Sequence, residues 1–159
     1  MSLLTPGTPA PDIEARRKDG EPVRLSELRG RNVLVYFYPK DDTPGCTTEA
    51  CSLNDSLDDL TSAGADVIGV SRDSWESHGR FQEKYGLKFG LAADEDGSIA
   101  KAYGVGRAGG VLPMAKRVSF LIGPDGAVAE VWPSVQAGRH AAEVLAAVQR
   151  RSGSGPASS

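Results

Sequence analysis

Cysteine and histidine are nearly absent from this chain, with two of each among 159 residues. Two cysteines cannot build the multi-bridge framework of a small secreted domain. In a cytosolic chain such a pair is catalytic or metal-binding more often than a structural staple. The histidines, His78 and His140, stand 62 positions apart, whereas structural zinc sites draw on closely spaced ligands, so no metal site is expected. No apolar run nears the ~20 residues needed to span a bilayer. The opening Met1-Ser2-Leu3-Leu4-Thr5-Pro6-Gly7 has no basic segment leading into an apolar one, so no signal peptide is expected and the cytoplasm is the expected compartment. A charge excess is missing too: a net charge of −3 and a pI near 5.4 leave no footprint for nucleic acid or an anionic membrane. The Cys-x-x-Cys spacing of general disulfide exchange does not occur. With no repeat and no second boundary, residues 1–151 read as one domain with 40% hydrophobic residues to fill a single core. Residues 152–159, rich in Ser, Gly and Pro, read as a disordered tail.

Both cysteines fall in one short stretch after a strong strand signal. Val33-Leu34-Val35-Tyr36-Phe37-Tyr38 is a continuous apolar, β-branched and aromatic run. Thr43 then offers an N-cap hydroxyl, and Pro44 suits the first helical position, where its missing N–H is not needed. Cys46 becomes the third helical residue, among unpaired backbone N–H groups and near the positive end of the helix dipole. A thiol held in that environment loses its proton more readily than a free one, which makes it an activated nucleophile. Cys51 lies five residues further on. In a helix that spacing separates Cα atoms by about 8–9 Å, beyond the ~7 Å limit of a disulfide. The pair can join only if the helix unwinds.

The remaining chain alternates strand and helix signals. Ile13–Arg16 and Val23–Leu25 flank Lys18-Asp19-Gly20-Glu21 as a hairpin, and Ser26 can cap a short helix ending at Gly30. The cysteine-bearing helix is expected to run to about Thr61, closed by Gly64. A buried strand over Asp66–Ser71 follows, then a helix from a Ser74 cap through Tyr85, stopped by Gly86. Asp96 can cap a short helix over Ser98–Tyr103. A breaker-rich loop, Gly104 to Pro113, leads to strands Arg117–Ile122 and Ala127–Trp132 around the turn Gly123-Pro124-Asp125-Gly126. Ala141, Val144, Leu145 and Val148 form one apolar face of a closing helix. The order predicts an α/β domain with a mixed central sheet, helices on both faces and an N-terminal hairpin. Gly104-Val105-Gly106-Arg107-Ala108-Gly109 spells a dinucleotide-type motif, but no strand precedes it and no helix follows, so it is set aside. Trp75 and Trp132 read as packing or partner-surface residues.

Pro39, Thr43 and Cys46 match the Pro-x-x-x-Thr-x-x-Cys signature of the peroxiredoxins. Within that family, Gly45-Cys46-Thr47-Thr48-Glu49-Ala50-Cys51 resembles the Q-type, or bacterioferritin comigratory protein, class. The likeness continues through Gly69–Ser74, Glu76-Ser77-His78, Phe81–Leu87 and Arg117–Ile122, and covers roughly residues 5 to 150. Leu53-Asn54 departs from it, standing where an aromatic and a basic residue are usual. The resemblance implies a thioredoxin-like fold and an antioxidant thiol peroxidase that needs no cofactor. Cys46 would attack the hydroperoxide, and Cys51 would condense with the resulting sulfenic acid in an intramolecular disulfide. Thr43 and Arg117 would assist, with Pro39, Gly45 and Glu49 completing the peroxide site and Glu49 orienting Arg117. It also implies recycling by thioredoxin or a similar dithiol, and a monomer. A redox-sensing or holdase protein using the same thiol switch is the alternative reading.

Overall fold

The structure is a computed structural model, and it describes residues 3–107 and 114–153. Among the described residues, seven strands form one sheet in the order β2-β1-β5-β4-β3-β6-β7. β3 (Asn32–Phe37), β4 (Ala65–Ser71) and β5 (Gly90–Ala93) are parallel, while β6 (Val118–Ile122) and β7 (Val128–Trp132) continue the sheet antiparallel beyond β3. At the other edge the hairpin of β1 (Glu14–Arg16) and β2 (Pro22–Arg24) joins through antiparallel pairing of β1 with β5. This is the mixed thioredoxin-like sheet that the strand order predicts.

β3 carries the two cores on its two faces, as the period of two along a strand requires. Leu34, Tyr36 and Tyr38 point into a cluster with Cys46, Ala50, Leu53, Phe81 and Val144, which belong to α1 (Pro44–Asp55), α3 (Trp75–Tyr85) and α5 (His140–Gly153). Val33, Val35 and Phe37 face Ile13, Ala100, Tyr103 and Phe120, under α4 (Ser98–Tyr103). A strand buried on both faces is the physical reason for its unbroken apolar run. No helix among the described residues is long and apolar enough to cross a membrane.

Several local expectations need correction. Strand β5 carries no expectation in the sequence reading. The cysteine-bearing helix does not run unbroken to Thr61 but ends at Asp55, and α2 (Leu57–Ser62) restarts after Ser56, whose backbone has left the helical region (φ −91°, ψ 0°). Ser26 does not cap the short 3-10 turn Leu25–Leu28 but lies inside it, with its N–H and hydroxyl bound to Asp12. At α4, Asp96 accepts from the Ser98 N–H, but Asp94 accepts from both Ile99 and Ala100 and supplies most of the cap. Ser74 caps α3 through the Ser77 N–H, and Gly86 closes that helix in the left-handed region (φ 62°). α5 extends to Gly153, two residues beyond the expected domain end, and the rest of the expected tail lies outside the described residues. In the breaker-rich loop, Gly104 is the left-handed C-cap of α4, so the glycine motif follows a helix, and residues 108–113 lie outside the described set.

The unusual pair Leu53-Asn54 has a structural reason. Leu53 is fully buried beneath α1. The Asn54 side-chain amide donates to the Gly86 carbonyl (3.0 Å) and its oxygen accepts from the Lys88 N–H (2.9 Å), fastening the last turn of α1 to the end of α3. Each tryptophan is in a packing contact, Trp75 under the Arg16 guanidinium and Trp132 edge-on to His140.

One glycine is dictated by packing rather than by a turn. A Cβ on Gly69 of β4 would lie 2.7 Å from Leu91 Cδ2 and 2.9 Å from the Tyr36 ring, both of them buried. Gly69→Ala should therefore destabilise the fold by about 1–3 kcal/mol, the usual cost of overpacking. Urea unfolding should show a lower midpoint with an unchanged slope; an unchanged midpoint would mean that Tyr36 and Leu91 can move aside.

Candidate active site

β3 ends at Phe37, and the chain turns through Pro39 and Thr43 into α1. Thr43 occupies the N-cap position with extended backbone (φ −96°, ψ 155°), and Pro44 follows at the first helical position. The expected capping bond is absent. The Thr43 hydroxyl instead donates to the Lys40 carbonyl at 3.0 Å, closing the turn. The first intrahelical bond runs from the Thr47 N–H to the Thr43 carbonyl. The N–H groups of Gly45 and Cys46 in the first turn are therefore left without a capping side chain.

Arg117 reaches this turn from the start of β6. Its Nη2 donates to Cys46 Sγ at 3.3 Å, and its Nη1 donates to Glu49 Oε1 at 2.6 Å. One guanidinium thus bridges the sulfur and the carboxylate from the first and second turns of α1. The approach depends on Gly45, where a Cβ would stand 3.1 Å from Nη2. Cys46 is buried, 1% exposed, and Glu49 is 0% exposed. Among the described residues, Glu49 Oε2 finds no partner, nor does the Tyr36 hydroxyl on the same side of the sheet. Burial pushes the Glu49 carboxyl up from 4.5 to about 7, with the Arg117 charge offsetting part of that rise. Burial disfavours charge on Arg117, but Glu49 and the sulfur outweigh it and raise its pKa.

The site residues expected from sequence thus fall in one place, with differences in engagement. Cys46, Glu49 and Arg117 are bonded together. Gly45 is exposed beside the guanidinium, and the half-buried Thr43 and Pro39 shape the approach turn. Cys51 is apart from this cluster, helical, half-buried and unpaired. Burial, with Asp55 adding to it, pushes its thiol pKa up.

A second polar cluster carries no expectation in the sequence reading. Asp41 accepts from Tyr38 Oη (2.6 Å) and from Ser77 Oγ (2.8 Å), and it lies 2.8 Å from His78 Nδ1. His78 Nε2 sits 2.9 Å from the Ala92 carbonyl. Asp41, Asp73 and His78 have the spacing of a metal-ligand group, yet each is engaged in hydrogen bonds within the protein. The only sequence signals for this cluster were two aspartates in a short connection and a histidine one turn past a helix cap.

A family model described as the AhpC/TSA family matches residues 6–131. The chain is 42% identical over 143 residues to the putative peroxiredoxin bcp of Coxiella burnetii, covering 87% of this chain and 95% of that protein. It is also 42% identical over 149 residues to peroxiredoxin Bcp of Escherichia coli, covering 91% and 96%. Among solved structures, a mutant of PrxQ from Xylella fastidiosa superposes with a TM-score of 0.86 at 32% identity, covering 95% of this chain and 99% of the other. The bacterioferritin comigratory protein of Xanthomonas campestris, studied for its alkyl peroxide reduction activity, gives 0.81 at 34% identity, covering 96% and 99%.

Glu49 makes stability respond to pH in a defined direction. Between about 4.5 and about 7 the native protein holds a proton on Glu49 that the unfolded chain has released. Its contribution is therefore full below about 4.5 and is lost as pH rises through about 7, a change of about 3 kcal/mol at most. Urea unfolding of the reduced parent and of Glu49→Gln should show the parent losing stability relative to the variant across that interval. A constant difference from pH 5 to 8 would contradict the burial argument.

Proposed function

The chain belongs to the AhpC/TSA family and is a peroxiredoxin-type thiol peroxidase; from that premise we propose how its own residues divide the work. The reading rests on one observation above all, the Arg117 guanidinium held by Glu49 and donating to Cys46 Sγ. A cation fixed against the sulfur is already in position when charge spreads onto a bound peroxide.

In the first step the Cys46 thiolate attacks the terminal oxygen of the hydroperoxide. An S–O bond forms, the O–O bond breaks, and the leaving oxygen takes a proton to depart as water or an alcohol. Arg117 and the uncapped N–H groups of Gly45 and Cys46 supply donors for the developing negative charge. The Thr43 hydroxyl proton is committed to Lys40, so its oxygen presents a lone pair that can accept the peroxide's hydrogen. Pro39 and Gly45 limit the approach. The step needs no metal or organic cofactor.

Cys51 then gives up its proton and its sulfur attacks the Cys46 sulfenic acid. An S–S bond forms, the S–O bond breaks, and the departing hydroxide takes up a proton to leave as water, closing an intramolecular disulfide. Helical Cα atoms five residues apart, about 8–9 Å, do not allow this without unwinding α1. The raised pKa of Cys51 supports the same order of events, since the folded helix keeps this thiol protonated. A thioredoxin-type dithiol then reduces the bond by exchange. The Xanthomonas relative's alkyl peroxide activity supports organic hydroperoxides beside hydrogen peroxide as substrates. We further propose a cytoplasmic enzyme that completes the cycle as a monomer.

Cys46→Ser should abolish peroxide consumption. Cys51→Ser should keep the first step but stop turnover with thioredoxin and its reductase; the opposite pattern would reverse the two roles. One equivalent of peroxide should convert the parent to a monomer about two mass units lighter, the loss of two thiol hydrogens. A disulfide-linked dimer on a non-reducing gel would instead place the bond between chains.

Amide exchange provides a separate check. The oxidised protein should exchange faster across residues 45–52 and lose helical circular dichroism, with the sheet unchanged and both signals restored on reduction. Equal exchange in both redox states would rule out unwinding.

A further inference from the structure

The turn that starts α1 is held from outside by α3, at Asp41 and Asp42. The Asp42 backbone is left-handed (φ 58°), and its carboxylate meets Lys84 Nζ at 2.8 Å and Tyr85 Oη at 2.7 Å. That tie is exposed to solvent, and exposed ion pairs contribute little. Asp41 is different. The side chains of Asp41 and His78 are 3% and 2% exposed, and they meet at 2.8 Å. The Asp41 N–H also donates to Asp73 Oδ2 (2.8 Å), which accepts from Ser71 Oγ (2.6 Å). The turn is therefore joined at Asp41 to β4's exit and to α3 through buried and half-buried groups, three residues before Pro44 and five before Cys46.

The ring orientation fixes what His78 must supply. A carbonyl only accepts, so the His78 Nε2 facing Ala92 O must carry a proton. Nδ1 faces Asp41 Oδ2, which already accepts from Ser77 Oγ, while Asp41 Oδ1 accepts from Tyr38 Oη. A close contact between Nδ1 and a carboxylate oxygen needs one proton between them, whichever atom holds it. Without it two lone pairs would face each other in a site closed to water, and the turn would have to move.

We propose that His78 is a positioning residue for the Cys46 reaction, acting through a proton shared with Asp41 to hold the 40–43 turn from which α1, Thr43 and the thiol take their placement. The proposal rests on Cys46 being the peroxide-reacting thiol. It places the control of reactivity partly on a helix that contributes nothing to the Arg117–Glu49 cluster. Misplacing reacting groups by about 1 Å can cost as much as a hundredfold in rate, so losing this brace should be visible in the peroxide step itself.

Two substitutions at one position separate positioning from mere stability. His78→Asn keeps an N–H near Nδ1 to donate to Asp41 and loses the bond to Ala92. His78→Gln places its donor toward Ala92 and loses the one to Asp41. Each forfeits one buried hydrogen bond, so urea stabilities should fall alike. The second-order rate of the reduced protein with hydrogen peroxide should stay within about threefold of the parent in the Asn variant and fall about tenfold or more in the Gln variant. Equal rates in the two, or the reverse order, would overturn the proposal. Should His78→Gln fail to fold, Asp41→Asn and Asp41→Ala read the same link from the other side. An Asn amide can donate to the neutral ring while its oxygen still accepts from Tyr38, so Asn should hold the rate and Ala should lose it; equal rates again overturn the idea. Peroxide consumption that survives Cys46→Ser would instead sink the reading beneath it, so the two failures remain distinct.

Discussion

The Arg117 guanidinium, stretched between a buried carboxylate and a buried sulfur, is the contact around which the site is arranged. It joins β6 to the first two turns of α1, and each partner has to be delivered to it. The antiparallel register sets Phe37 opposite Val118, so Arg117 lies level with the exit of β3, where the approach turn begins. α1 must then start at once, or Cys46 and Glu49 would not face the same side. Glu49 and Cys46 are three residues apart, and helical neighbours at that spacing share a face. Gly45 lets the guanidinium in, at some cost in helix propensity, because a Cβ there would stand 3.1 Å from Nη2.

Much of this was legible in the sequence because it is local. The unbroken apolar run of β3, Pro44 at the helix start and the cysteine two residues later follow from backbone chemistry within one segment. Pairing Arg117 with Glu49, 68 residues apart, came from the family likeness, since no spacing rule joins them. What the sequence hid is what long-range contact decides. β5 is the four-residue run Gly-Leu-Ala-Ala, with two alanines and a glycine that have weak strand preference. It is a strand because β4 pairs with it on one side and β1 on the other. The break at Ser56 has no Gly or Pro to announce it, and the Thr43 hydroxyl chose a nearby carbonyl over the helix N–H groups, a competition that propensity cannot rank. Asp41 and His78, 37 residues apart, each look like an ordinary surface residue until the fold brings them together.

In the proposed cycle α1 has to be rigid enough to present a thiol and weak enough to come apart. The structure divides those demands along its length. Its entry turn is braced by Asp41 and Asp42 against α3, and its exit is fastened by Asn54 to Gly86 and Lys88. Between those fixed points lie Gly45 and the Thr47-Thr48 pair, poor helix formers, with Thr48 already diverting its hydroxyl to the Pro44 carbonyl. A segment anchored at both ends can unwind without releasing the rest of the fold, which confines the transition to the residues that must change.

Glu49 adjusts the energy of that transition. In the folded helix it bears a desolvation penalty large enough to move its carboxyl to about 7, despite the arginine beside it. Unwinding through residue 49 would return the carboxylate to water and recover that penalty, offsetting part of the cost of drawing Ala50 out of the core. A Cys46 sulfur that carries negative charge adds its own attraction to the Arg117 guanidinium beside that of Glu49, a second tie between α1 and β6. In the proposed cycle, peroxide turns the thiolate into a neutral sulfenic acid, and that share of the attraction is gone. The reaction thus removes one of the forces that kept α1 wound, so oxidation itself biases the helix toward the open state in which Cys51 can reach Cys46.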